Sequence, residues 1–167
     1  RAHIYIYCQL AKCYFMNQNY KEAIEICEEG ILYEKDYLDL YFYMAQAQAV
    51  LKEYDLATKN YEKYFSLIDN YANLKIKNDP SINIHTISVC DEAYYNLAVM
   101  YANNNQYAKA YENVIKISSN HYKEKAAILT TNLCFKIGDF DRLKNIYQDK
   151  KECLQKEEFK QFIITLE

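Results

Sequence analysis

Apolar residues recur every three or four positions along most of the chain, which is the spacing of an amphipathic α-helix. Residues 10–26, LAKCYFMNQNYKEAIEI, show two such stretches separated by the polar residues Asn17, Gln18 and Asn19. A polar break of this kind ends one helix and starts the next. Continued along the chain, the pattern predicts eight helices in four consecutive pairs: 3–16 with 20–33, 38–51 with 54–69, 91–103 with 107–118, and 122–136 with 140–149.

Residues 71–90 interrupt this pairing. They contain Pro80, the only proline of the chain, and proline does not fit in a helix interior. We expect a surface loop here, with short extended pieces near residues 82–87. Two interpretations stay open, a tolerated surface excursion or a lid or interface element, since long loops in compact domains often carry function.

The last segment predicts one further helix. Residues 152–167 place apolar side chains on a single stripe, formed by Leu154, Phe159, Phe162 and Ile163. A stack of helix pairs leaves an apolar face open at its end, and a terminal helix covers that face. We therefore expect residues 152–167 to form a C-terminal capping helix.

The four turns within the predicted pairs are related in sequence. The segments NQNYKEA, LKEYDLA, NNQYAKA and IGDFDRL each place an aromatic residue three positions before Ala or Leu. Tyr20 and Tyr54 lie 34 residues apart, and Tyr107 and Phe140 lie 33 apart. The 53 residues from Tyr54 to Tyr107 are one period plus 19. A period near 34 is that of the tetratricopeptide repeat (TPR), a helix–turn–helix unit that the chain resembles.

The resemblance extends to the side chains within each copy. TPR sequences carry an aromatic residue, then Leu with a small residue, then Tyr, Ala and a second aromatic. Three copies are similar to this pattern, at Tyr7, Leu10, Ala11, Tyr14, Ala23 and Cys27; at Tyr41, Met44, Ala45, Gln48, Ala57 and Tyr61; and at Tyr94, Leu97, Ala98, Tyr101, Ala110 and Val114. Gln48 departs from it, because TPR sequences have Tyr there. The fourth copy is degenerate, with Ala127, Thr130, Thr131, Cys134, Leu143 and Tyr147.

The resemblance implies an all-α fold, a TPR-type right-handed superhelix of about four antiparallel helix pairs plus the capping helix. We expect a single domain over residues 1–167, with repeats at about 4–37, 38–70, 91–121 and 122–151. Small side chains let the two helices of a pair cross closely, and larger ones would push the axes apart. We expect three such meetings, Ala11 with Ala23, Ala45 with Ala57, and Ala98 with Ala110.

Composition agrees with a helical chain and excludes several classes of function. Only two glycines and one proline are present, and the net charge of −3 offers no basic face for nucleic acid. No apolar stretch is long enough to span a membrane. The six cysteines form no C-x-x-C pair, and we expect free, mostly buried thiols in a cytoplasmic protein. The chain begins without Met, and we expect it to be a piece of a longer protein.

The sequence predicts no catalytic, metal or cofactor site. Two isolated glycines, Gly30 and Gly138, cannot form a phosphate-binding loop. His85 has no second histidine or carboxylate at metal-ligand spacing. Asp139 and Asp141 form a D-x-D sequence, which can hold a divalent metal, but the repeat register places them at a turn between helices. We therefore expect this chain not to be an enzyme.

The first helix of each TPR pair lines a groove, so the resemblance implies a protein or peptide partner. The expected partner-binding residues are Tyr5, Lys12, Phe15, Phe42, Gln46, Glu92, Tyr95, Asn96, Val99, Asn103, Asn132 and Phe135. Several are apolar where a solvated face would be polar. Either the groove binds an apolar or helical segment, or tight curvature buries these side chains against neighbouring helices. The residues with which chaperone-binding TPR proteins clamp a C-terminal carboxylate are missing.

A narrower resemblance rests on the segments DLYFYMAQA, residues 39–47, and DEAYYNLAVMY, residues 91–101, with the insertion between them. This arrangement is similar to the TPR region behind the catalytic domain of family-2 glycosyltransferases in clostridia and related bacteria. It implies an accessory module for self-association, such as a homodimer, or for recognition of an acceptor protein. The catalytic domain would then precede Arg1.

A second interpretation is a peptide-sensing TPR domain of a Gram-positive quorum-sensing transcription regulator. Such domains usually grip a peptide backbone with an asparagine-rich groove. This chain has only three asparagines at the expected groove positions, Asn96, Asn103 and Asn132.

Overall fold

The structure is a computed structural model that describes residues 2–73 and 87–150. Within these ranges the chain forms eight α-helices and no strand. They are α1 (Ala2–Met16), α2 (Tyr20–Tyr33), α3 (Leu38–Val50), α4 (Tyr54–Asn73), α5 (Ile87–Asn103), α6 (Tyr107–Val114), α7 (Lys123–Ile137) and α8 (Phe140–Lys150). The prediction of an all-α fold built from helix pairs is confirmed.

Three boundaries differ from those expected. Helix α4 continues through residues 71–73 and α5 begins at Ile87, so a loop over all of 71–90 is wrong at both ends, because no proline or glycine stops either helix there. Helix α6 ends at Val114 and not near residue 118. The rest of the expected loop, residues 74–86, and the expected capping helix, residues 152–167, lie outside the described residues.

The two helices of each pair are joined by the same tight turn. The residue two positions before the second helix has a positive φ in every pair, at Gln18 (63°), Lys52 (65°), Asn105 (58°) and Gly138 (81°). The next backbone N–H donates to the carbonyl five residues earlier, for example from Asn19 to Tyr14 at 2.9 Å. This Schellman arrangement satisfies carbonyls that have no partner within the helix.

Small residues occupy the places where the helices of a pair were expected to cross. Ala11 and Ala23, Ala45 and Ala57, and Ala98 and Ala110 all have 0% exposed surface. Helix α1 packs on α2, α3 on α4, and α5 on α6. In the fourth pair, Thr131 and Leu143 stand at these positions and are also buried.

The pairs stack in chain order. The second helix of each pair contacts the first helix of the next, as α2 contacts α3, α4 contacts α5, and α6 contacts α7. First helices also contact each other, α1 with α3, α3 with α5, and α5 with α7. Helix α3 is therefore enclosed on several sides, and all its residues from Leu38 to Gln48 except Tyr43 are buried.

Candidate protein-binding groove

The expected groove residues do not form one continuous open surface. Five are exposed, namely Tyr5, Lys12, Asn103, Asn132 and Phe135. Five are half-buried, namely Phe15, Glu92, Tyr95, Asn96 and Val99. The two on α3, Phe42 and Gln46, are buried at 3% and 8% exposure. Exposure is therefore lowest on the enclosed helix α3.

Phe42 belongs to the hydrophobic core. Its ring centroid lies 5.5 Å from that of Tyr43, 6.4 Å from that of Tyr61 and 5.5 Å from that of Tyr64. The expectation that Phe42 contacts a partner is therefore corrected. Helices α1 and α5 both pack on α3, and this enclosure depends on contacts between repeats that a period along the sequence does not reveal.

Asn96 also has an internal role. Its Nδ2 donates a hydrogen bond to the Oη of Tyr61 on α4, at 3.0 Å. Tyr61 is fully buried, so this bond satisfies its hydroxyl inside the stack. Asn96 therefore joins α5 to α4 inside the stack.

Phe15 and Phe135 pack at equivalent turns. The ring of Phe15 lies edge-on to Tyr20, with centroids 5.4 Å apart. Phe135 is arranged in the same way against Phe140, with centroids 6.3 Å apart. Each pair of rings joins the end of a first helix to the start of the second, far along the helices from the middle of the groove.

Four side chains come together on α3, on α5 and immediately before α7, and we call them the groove cluster: Gln46, Glu92, Tyr95 and Tyr122. Gln46 of α3 donates from Nε2 to the Glu92 carboxylate of α5 at 2.6 Å. The ring of Tyr95 on α5 lies 5.9 Å from that of Tyr122, which immediately precedes α7. The cluster therefore links α3, α5 and the start of α7.

The electrostatics of the groove cluster are dominated by partial burial. Burial raises the pKa of Glu92, while the hydrogen bond from Gln46 and the nearby Lys125 and His121 lower it in part. Burial and the charge of Glu92 raise the pKa of Tyr122. A half-buried carboxylate beside two aromatic rings can accept hydrogen bonds from a partner while the rings provide apolar contact.

Tyr122, His121 and Lys125 were not among the expected residues. Lys125 stands at the same repeat position as Glu92, so the repeat register could have found it. Its ammonium group lies 5.7 Å from the centroid of the Tyr122 ring. Tyr122 and His121 lie in the connection between α6 and α7, where helical periodicity predicts no orientation.

The side chain of Asp139 contacts Arg142 at the start of α8. Its Oδ1 accepts a hydrogen bond from the backbone N–H of Arg142 at 3.1 Å, and its Oδ2 lies 3.6 Å from the Arg142 guanidinium. In the described part of the chain, no three His, Cys, Asp or Glu side chains are grouped so that they could hold a metal ion. Among the described helices, none is both long and apolar enough to cross a membrane.

No protein-family model matches the chain, and no curated protein matches it. Solved structures do match. A crystal structure of MamA superposes with a TM-score of 0.68 at 19% sequence identity, covering 89% of this chain and 77% of that one. A Podospora anserina protein with nearly identical TPR-like repeats gives a TM-score of 0.60 at 16% identity, covering 93% of this chain and 78% of that one. The fold is therefore the TPR-type superhelix of helix pairs.

Proposed function

We propose that this chain is a non-catalytic protein-interaction module that binds an extended or helical segment of a partner across α3, α5 and the start of α7. The groove cluster is the observation that carries the proposal. It places a half-buried carboxylate, Glu92, and a half-buried ring, Tyr95, on α5, and a second half-buried ring, Tyr122, immediately before α7. Side chains of this kind, aromatic and incompletely buried, are those that dominate protein interfaces.

The chemistry of the groove cluster defines the partner segment. Tyr95 and Tyr122 offer ring faces to an apolar side chain, and Glu92 accepts hydrogen bonds from an amide or a cationic group. Lys125 and His121 lie close enough to influence the carboxylate, so a strongly basic partner is not required. The segment expected is an apolar peptide with a hydrogen-bond donor next to its apolar anchor.

A peptide-display selection against the purified chain tests this proposal. The enriched peptides are then measured for affinity to wild type, Tyr95→Ala, Glu92→Gln and the control Leu56→Ala on the exposed side of α4. Tyr95→Ala is expected to weaken binding by at least about tenfold, the loss of one aromatic anchor. Glu92→Gln is expected to weaken it too, although a glutamine at 92 can still accept the bond from Gln46.

Peptides that bind wild type, Tyr95→Ala and Glu92→Gln with equal affinity overturn the proposal, and so does a selection without enrichment. Circular dichroism of each variant shows that a loss of affinity is not a loss of fold. Leu56→Ala is expected to bind as wild type does, because it lies outside the groove cluster.

The finer assignment that we propose is the accessory region of a family-2 glycosyltransferase. The similarity of residues 39–47 and 91–101 supports it. Translation of the source gene upstream of Arg1 tests it, with a nucleotide-sugar-binding domain expected. A DNA-binding helix-turn-helix domain there supports the peptide-sensing alternative. If the upstream sequence encodes neither kind of domain, both assignments are overturned.

A further inference from the structure

We propose that Lys125 makes the groove cluster selective for a partner segment with a neutral hydrogen-bond donor, such as an amide, over a segment with a lysine or arginine at that place. Lys125 acts as a counter-ion that belongs to the chain itself. Its ammonium group balances the charge of the Glu92 carboxylate, so a second cation gains little there. The inference rests on the proposed binding function and deepens it, because it defines the chemistry that the same site accepts.

Lys125 and Glu92 stand at equivalent positions of the repeat. They are 33 residues apart, which is one period, and their helices, α7 and α5, contact each other. The equivalent residue on α3 is Asp39, which is only 9% exposed, whereas Glu92 is half-buried. Among these equivalent positions, Glu92 is therefore the carboxylate that a partner can reach, and the next position along the stack carries a cation.

The Tyr122 ring holds the ammonium group of Lys125 beside the groove cluster. The Nζ of Lys125 lies 5.7 Å from the centroid of this ring, and the ring lies 5.9 Å from that of Tyr95 on α5. A cation is attracted to the face of an aromatic ring. The side chain of Lys125 is exposed, and this contact keeps its charged end near Glu92.

The groups around Glu92 compensate its charge before any partner binds. Gln46 donates from Nε2 to Oε1 of Glu92 at 2.6 Å, so a donor from the partner is expected at Oε2. Burial raises the pKa of Glu92, and the bond from Gln46 and the charges of Lys125 and His121 oppose that rise. The partner therefore has to supply a hydrogen bond, and it does not have to supply a charge.

A cationic side chain brought to Glu92 meets the ammonium group of Lys125 at the same time. Like charges repel more strongly in a partly desolvated site than in water, and the incoming cation also loses part of its hydration. An amide donates its hydrogen bond without either cost. Specificity often depends on such a repulsive element as well as on attractive contacts, and Lys125 is that element here.

Two peptides that differ at one residue test the inference by calorimetry. They are based on a selected peptide whose binding is weakened by both Tyr95→Ala and Glu92→Gln, with either glutamine or lysine next to the apolar anchor. Wild type is expected to bind the glutamine peptide about tenfold more tightly than the lysine peptide. Lys125→Glu is expected to reverse this preference, because two carboxylates then face the donor.

Lys123→Glu is the matched control for Lys125→Glu. It makes the same change of charge on the same helix, and Lys123 is exposed as Lys125 is. Residues two positions apart on a helix do not share a face, so this variant is expected to keep the preference of wild type. Both substitutions are at exposed positions, and circular dichroism checks that each variant stays folded.

The pKa of Glu92 gives a second readout that needs no peptide. Lys125→Gln is expected to raise this pKa above its value in wild type, because the ammonium group that favours the charged carboxylate is removed. Lys123→Gln is expected to leave it unchanged. NMR titration of ¹³C-labelled carboxylates measures the pKa of Glu92 in each variant, and equal values in Lys125→Gln and Lys123→Gln overturn the inference.

The binding experiment separates failure of this inference from failure of the proposed function. A wild type that binds the lysine peptide as tightly as the glutamine peptide overturns the inference alone, since binding still depends on Tyr95 and Glu92. An unchanged preference in Lys125→Glu has the same consequence. Selected peptides that bind Tyr95→Ala and Glu92→Gln as they bind wild type overturn the proposed function, and the inference with it.

Discussion

At the scale of single residues, the most regular feature is the residue with a positive φ in the turn within each helix pair. Gln18, Lys52 and Asn105 carry a Cβ in a conformation that costs an L-residue about 1–2 kcal/mol. Gly138 adopts the same conformation without that cost. The tight joint between the helices of a pair therefore stores strain in three turns and avoids it in the fourth.

Gly138→Ala isolates this effect. A Cβ at residue 138 would meet no atom within 4 Å, so the only cost is the backbone conformation. We expect the free energy of unfolding to fall by about 1 kcal/mol or more, measured by urea denaturation. Lys52→Gly is the reciprocal change, and it should raise stability by up to about 1 kcal/mol. Equal stability of Gly138→Ala and wild type would contradict the assignment of strain to these turns.

Gln48 illustrates a departure from the repeat that the structure explains. It is buried where TPR sequences have Tyr, and its Oε1 accepts a hydrogen bond from Asn60 Nδ2 at 2.7 Å. The amide of Gln48 therefore has a partner on the other helix of its own pair. The partner lies 12 positions later along the chain, and it explains why a buried glutamine is accommodated here.

The cysteines show where burial controls reactivity. Cys8, Cys27 and Cys134 are buried, and burial raises the pKa of Cys27 to about 12 and that of Cys8 further still. The expectation of mostly buried free thiols is met by these three. Cys13 departs from it because its face of α1 is not covered by another described helix.

At the scale of helices, one buried carboxylate sets a boundary that the period does not predict. Asp91 on α5 is 2% exposed. Its Oδ2 accepts hydrogen bonds from the backbone N–H groups of Ser118 and Ser119, at 3.1 and 2.6 Å. The chain leaves the helical path after Val114, and this long-range partner satisfies the N–H groups of the connection that follows α6.

Asp91→Ala is expected to lower the free energy of unfolding by about 2–3 kcal/mol, since it leaves two backbone donors without their partner. Asp91→Asn retains an acceptor oxygen, so it should lower the free energy of unfolding by less than Asp91→Ala does. A smaller loss is still expected, because the hydrogen bonds are weaker without the carboxylate charge. Thermal unfolding followed by circular dichroism measures both. Glu28→Ala, an exposed carboxylate on α2, is the control, and a loss from Asp91→Ala no greater than from this control would refute the role.

The sequence predicted well those features that depend on neighbours close along the chain. Helix starts at Tyr20, Tyr54, Tyr107 and Phe140 follow from the turns, and the six buried alanines follow from the period. The end of α6 and the internal role of Asn96 depend on partners 27 and 35 residues away. Phe42 packs on Tyr61 and Tyr64, which lie 19 and 22 residues away. A one-dimensional pattern carries no information about such partners.

At the scale of the whole molecule, stacking gives each repeat a different degree of enclosure. The second and third pairs each contact a neighbouring pair on both sides, and the groove cluster lies on their first helices, α3 and α5, and on Tyr122 before α7. The groove cluster is the surface that we propose for a partner segment.

Hydrogen–deuterium exchange with and without a peptide from the selection tests the central claim most directly, because it locates binding on the helices. The account predicts slower exchange in α3, in α5 around Glu92 and Tyr95, and at Tyr122 before α7, with α2, α6 and α8 unchanged. Slower exchange confined to the second helices, α2, α4, α6 and α8, would contradict it.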